Sequence, residues 1–159
     1  MMVNQVERQG DLSLLADPVA RGLLASTIPA RFAYVWKDGT PRVVPIWFHW
    51  NGAEFVLASP PRAPKLKALT GGKGALTIDT ETPPYQVLMV RGSVSVEMVD
   101  GVPDEYVASA RRYMGQEQGD AWAGMAASRF SQMARIAIRP EWVGILDFET
   151  RFPSAMAEV

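Results

Sequence analysis

The sequence predicts a mainly β chain with minor helices, folded as a small antiparallel barrel of six or seven strands. Three observations predict it. Runs rich in aromatic and β-branched residues are separated by Asp38-Gly39 and Asn51-Gly52, dipeptides that favour hairpins between neighbouring strands. The longest β run, Gln86 to Val99, contains Gly92, where a bulge or bend would let a sheet curl. Helical periodicity is confined to one stretch before residue 26 and two after residue 103. With 159 residues, 48% hydrophobic and 21% charged, the chain reads as one domain spanning 1–159, without repeat or linker.

The elements follow in order. Asp17-Pro18 offers an N-cap and a first-turn proline for a helix to Ser26 that buries Val19, Leu23 and Leu24. Phe32–Trp36, Arg42–Trp50 and Glu54–Ala58 read as three antiparallel strands, and Pro45, which lacks a backbone donor, puts the middle one at an edge or a bulge. The stretch 59–74 is a proline-stiffened loop entering a short helical turn that Gly71-Gly72 stops. Ala75–Asp79 is a further strand. In the run from Gln86, Val94, Val96 and Met98 alternate with Ser93, Ser95 and Glu97, so one face of its second half is wet. A helix from Pro103 to Gly115 carries Tyr106, Val107, Ala110, Tyr113 and Met114 as its core stripe; a second, starting at Asp120, buries Trp122, Met125 and Ala126. Ile136, Ile138 and Trp142–Leu146 return the chain to β structure.

Composition narrows the chemistry. The absence of cysteine excludes disulfides, thiolate metal sites and cysteine nucleophiles, and with a single histidine, His49, neither a Ser-His-Asp hydrolase nor a His-rich metal site needs much consideration. A net charge of −1 provides no field for nucleic acid or an anionic membrane. The charged N-terminal residues and the lack of a long apolar run favour a cytoplasmic protein. The charge balance breaks in one place: between Phe55 and Ile78 there is no acidic residue, yet Arg62, Lys65, Lys67 and Lys73 all fall there. Such a stretch reads either as a solvated basic loop or as a phosphate cradle whose prolines hold Ser59, Arg62 and Lys65 at low ordering entropy.

Four strings in order, Arg42-Val43-Val44-Pro45-Ile46-Trp47, Phe55–Ser59, Lys65–Leu69 and Gln86–Gly92, resemble the pyridoxamine 5′-phosphate oxidase-like family of flavin-binding split barrels over roughly residues 25–150. The resemblance implies an FMN-dependent oxidoreductase, a homodimer with a flavin site at each subunit interface, and hydride transfer to or from a small-molecule substrate. It assigns the FMN phosphate to Arg42, Ser59 and Lys65 with Lys67 as auxiliary, the flavin ring to the backbone of Val43, Val44, Pro45, Ile46 and Trp47, and a contact across the interface to Gln86. Catalytic residues are not assigned. Related barrels take the deazaflavin coenzyme F-420 or haem instead, so a reductase using F-420 or a non-catalytic flavin- or haem-binding protein is the alternative. The sequence departs from the vitamin-making oxidase at Trp47, where that enzyme has a Lys, at Pro64, where it has a basic residue, and in a C-terminal segment without histidine. Those departures argue against pyridoxine phosphate as substrate. His49 reads as a structural residue or as a proton donor or haem ligand.

Overall fold

A computed structural model of the chain describes residues 8–153. After a 3-10 turn, Leu12–Ala16, helix α1 runs over Pro18–Ala25 with the Asp17 carboxylate accepting from the Val19 amide at 2.9 Å, the cap expected from the sequence. Strands β1 (Ala30–Val35), β2 (Pro41–Ile46), β3 (His49–Trp50) and β4 (Phe55–Ser59) follow. Then come the turn α2 (Leu66–Leu69), β5 (Lys73–Asp79), β6 (Gln86–Asp100), α3 (Asp104–Met114), α4 (Gln116–Arg129) and β7 (Gln132–Asp147).

All seven strands form one antiparallel sheet in the order β2-β1-β5-β6-β7-β4-β3. The strands at its two edges, β2 and β3, are separated in sequence only by Trp47 and Phe48. Three Cα steps reach at most about 11 Å, so the sheet must roll until its edges nearly meet, with no ladder joining them. This is a split barrel. The predicted single strand Arg42–Trp50 is therefore two strands on opposite edges, because the chain jumps the split at Trp47-Phe48 instead of continuing its ladder. Pro45 lies on the edge strand, where its missing N–H costs no ladder bond.

Phe48 plugs the inside of the split. It is fully buried, 6.0 Å from the Phe55 ring and 6.4 Å from Tyr113, and truncating it would cost about 3–5 kcal/mol. The rest of the core comes from inward positions of the curled strands, among them Phe32, Leu57, Leu76, Leu88, Ile136 and Ile145, with Leu14 and Leu23 closing one end. Gly92 makes the curl possible. The register of β6 on β7 shifts between Arg91 and Gly92, and a Cβ at Gly92 would sit 1.9 Å from the Arg139 carbonyl oxygen.

The helical hairpin departs from the pattern read in the sequence. α4 starts four residues early, at Gln116, because Gly119 lets its first turn press on α3: a Cβ there would lie 2.6 Å from backbone atoms of Ala110 and Arg111. Trp122 and Met125, expected in the core, are 40% and 42% exposed, and the α3 stripe is half-buried apart from Ala110. The hairpin lies on the outside of an already filled barrel, so only its small residues reach full burial. Among the described residues no helix is long and apolar enough to cross a membrane.

Candidate functional site

The site builds outward from the split. Ser59 ends β4, paired with Ala134 of β7, and its side chain is buried. Its Oγ has no hydrogen-bond partner, and an unsatisfied buried hydroxyl costs about 1–3 kcal/mol. Six residues on, past Pro60, Pro61 and Pro64, Lys65 opens α2 half-buried, with its ammonium pushed below the usual lysine range by desolvation. No carboxylate of the described residues lies within 4.0 Å of it, nor of Arg62 or Lys67, which are exposed. An unpaired hydroxyl and a desolvated, unpaired cation bracketing a rigid loop fit an anionic group that supplies acceptors to both. Lys73 does not belong to this set: its Nζ binds both oxygens of Glu141 at 2.6 and 2.7 Å.

Across the split, Ile46 and Trp47 of the β2 end, Ala58 of β4, Tyr106 of α3 and Trp122 of α4 wall a recess of about 180 Å³. Trp47 stacks on Tyr113 at 4.9 Å and stands 6.3 and 6.2 Å from the Tyr106 and Trp122 rings. Trp122 Nε1 donates to Tyr106 Oη at 2.7 Å, which leaves the phenolic proton free to donate into the recess. Glu105 holds the first turn of α3 in place: it accepts from Arg135 Nη2 at 2.6 Å and Nε at 3.0 Å, and that guanidinium keeps its carboxyl below the usual range. The recess lacks charged walls, so it suits a neutral, planar group.

Of the residues predicted from sequence, Ile46 and Trp47 wall the recess together with Ala58, while Ser59 follows Ala58 at the end of β4 with its side chain buried and Lys65 stands at the end of the adjoining loop. Val43 is 65% exposed on the edge strand, Pro45 is exposed beside it, and Val44 and Ile46 turn inward against the core. Arg42 stands about 13 Å of strand before Ile46, its guanidinium 5.3 Å from the centre of the Trp36 ring and its Nε donating to Thr40 Oγ1 at 3.3 Å. Gln86 is elsewhere. It pairs with Asp147, thirteen positions along β7 from the residue paired with Ser59, roughly 40 Å of strand contour. The helical spacing of Tyr106 marks it only as core and that of Trp122 as core or one of several tryptophans able to line a ring pocket, since only the docking of the α3–α4 hairpin over the split brings them to Trp47.

No family model matches the chain, and no curated protein matches it in sequence. Solved structures do match in fold. An F-420 reductase is 24% identical with a TM-score of 0.60, covering 78% of this chain and 94% of that one. A FAD and haem binding protein from Mycobacterium smegmatis is 20% identical with a TM-score of 0.59, covering 93% and 77%. A pyridoxinephosphate oxidase family protein from Clostridium acetobutylicum is 16% identical with a TM-score of 0.58, covering 86% and 90%. The fold is a split barrel. More particularly, it is the split barrel seen in the F-420 reductase and the pyridoxinephosphate oxidase family protein.

Proposed function

We propose that this chain is a flavin-dependent oxidoreductase that binds FMN at the interface of a homodimer and exchanges a hydride with a small, planar organic substrate. The observation that carries the reading is the pair Ser59 and Lys65: a buried hydroxyl without a partner and a desolvated ammonium without a counter-charge. A phosphate would accept from both, with Lys67 adding charge from the exposed side and Arg42 completing the cation set from the far end of β2. The exposed edge of β2, Val43 to Trp47, would carry the flavin ring. FMN, when bound, supplies the hydride chemistry, and the protein supplies position and a dry wall. Trp47, Tyr106 and Trp122 would exclude water from the substrate side, and the Tyr106 hydroxyl would donate to an acceptor on the substrate. The recess contains no cation to hold a second phosphate, which disfavours pyridoxine phosphate as substrate.

The dimer rests on the role that the resemblance gives Gln86: standing roughly 40 Å of strand contour from Ser59, it would contact the cofactor of a second copy. A candidate contact face surrounds Gly74, where Tyr34, Val35, Pro41 and Ala75 line a shallow cavity of about 390 Å³ and Val35 is 59% exposed. The names of the structural neighbours, a reductase of F-420 and a protein binding FAD and haem, support a flavin-type cofactor. FMN is favoured over the longer-tailed F-420 because Lys73, which an extended basic groove would use, is spent on Glu141. Visible absorption of the purified protein, taken with light scattering, tests both parts. A flavin spectrum on a dimer is expected. A deazaflavin or Soret spectrum would reassign the cofactor, and a flavin-loaded monomer would remove Gln86 from the site.

A further inference from the structure

A cavity of about 640 Å³ lies outside the site described above. It opens between the 3-10 turn and α1 on one side and β3 and the end of α3 on the other. Leu15, Leu24 and Trp50 provide apolar walls, while Arg21, His49 and Arg112 provide the polar groups; none of its lining residues is acidic. Arg112 is half-buried and held rigidly. Its Nε donates to the Ser26 carbonyl at 3.0 Å and its Nη2 to the Phe48 carbonyl at 2.5 Å, and its guanidinium carbon lies 4.6 Å from the Phe48 ring centre and 4.7 Å from that of Tyr113. These contacts orient the guanidinium without neutralising it, for no carboxylate of the described residues comes within 4.0 Å of Arg112 or Arg21. Burial and the Arg112 charge hold His49 below the usual histidine range, against a smaller opposing pull from Glu105. A neutral imidazole still has one N–H to donate.

A rigid, uncompensated guanidinium beside a second, exposed one favours an anion, and apolar walls in a cavity of ligand size favour an apolar body attached to it. We propose that this cavity is a second small-molecule site, selective for an organic monocarboxylate with an alkyl or aryl body, whose carboxylate is taken by Arg21 and Arg112 and receives the His49 N–H. The proposal is independent of the flavin reading, since none of the cavity's lining residues belongs to the FMN set.

Calorimetric titration of the full chain with octanoate, octanol and acetate tests it. Octanoate carries both charge and tail, octanol the tail alone, and acetate the charge alone. Octanoate should bind, and each of the others should bind at least about tenfold more weakly. Arg21→Ala, on the exposed side of α1, should weaken octanoate about tenfold, and Leu24→Trp should abolish binding by filling the cavity. Both variants should keep the far-ultraviolet circular dichroism of the parent and its affinity for FMN. Absence of octanoate binding, equal binding of octanol, or an Arg21→Ala variant with parental octanoate affinity would each overturn the proposal. An unchanged FMN affinity in the same variants separates that failure from any failure of the flavin site.

Discussion

Replacing Lys65 with Met should move stability and cofactor affinity in opposite directions. The ammonium is half-buried, desolvation has lowered its pKa, and no carboxylate of the described residues is within ion-pair distance. In the empty protein its charge is therefore a cost that methionine, of similar shape, removes. The sign follows from linkage. With the folded pKa below the unfolded one, the unfolded chain holds more protons between the two, so the penalty is complete at neutral pH and is relieved as pH rises toward the ordinary lysine range. Wild-type protein should gain stability on going alkaline through that window, and Lys65→Met should be at least as stable at pH 7 and lack that gain. FMN binding should respond the other way. A charge-assisted contact to phosphate is worth about 1.5–3 kcal/mol, so the dissociation constant should rise roughly 10- to 100-fold. Urea melts from pH 7 to 10 read the first effect, and quenching of flavin fluorescence in a titration of cofactor-free protein reads the second. Parental FMN affinity in the variant would refute the phosphate assignment, and a marked loss of stability would refute the claim that the charge is unpaired.

Three further substitutions probe the frame around the site. Gly92→Ala should cost more than about 3 kcal/mol, because its Cβ would collide with the Arg139 backbone; Gly39→Ala, in open space but at φ 84°, should cost only about 1 kcal/mol, a contrast that denaturant midpoints resolve. Glu105→Gln should lower stability at pH 7 by about 1 kcal/mol, the low end for a charged hydrogen bond because the pair is partly solvated. The depressed folded pKa of Glu105 means its contribution is present above the ordinary glutamate range and lost as pH falls through the folded value. The difference between variant and parent should accordingly shrink in acid melts, and a difference that persisted unchanged would remove Arg135 as its cause.

Local chemistry was legible in the sequence wherever a single residue settles a local conformation. Asp17-Pro18 specified the start of α1, Gly39 and Gly52 supply positive φ in the two hairpin turns, Pro45 marked an edge strand, and Gly92 marked the register shift that curls the sheet. The excess of cations after Ser59 was equally visible, because charge balance is a property of composition. Tertiary structure decided the rest. Nothing in Ile46-Trp47-Phe48-His49 signals that the strand ends and resumes on the opposite edge, since all four residues suit a strand and the break exists only because the rolled sheet brings its edges together. Likewise the amphipathic pattern of α3 and α4 says that one face is covered but not by what. Tyr106 and Trp122 therefore read as core, and became walls of a recess when the hairpin docked beside Trp47. The sparing of Lys65 and the spending of Lys73 on Glu141 also lay beyond the sequence, because pairing between residues 68 positions apart depends on which strands become neighbours. Periodicity and turn chemistry act over a few residues, whereas a site is assembled from distant segments by packing, and only the closed sheet fixes which of them meet.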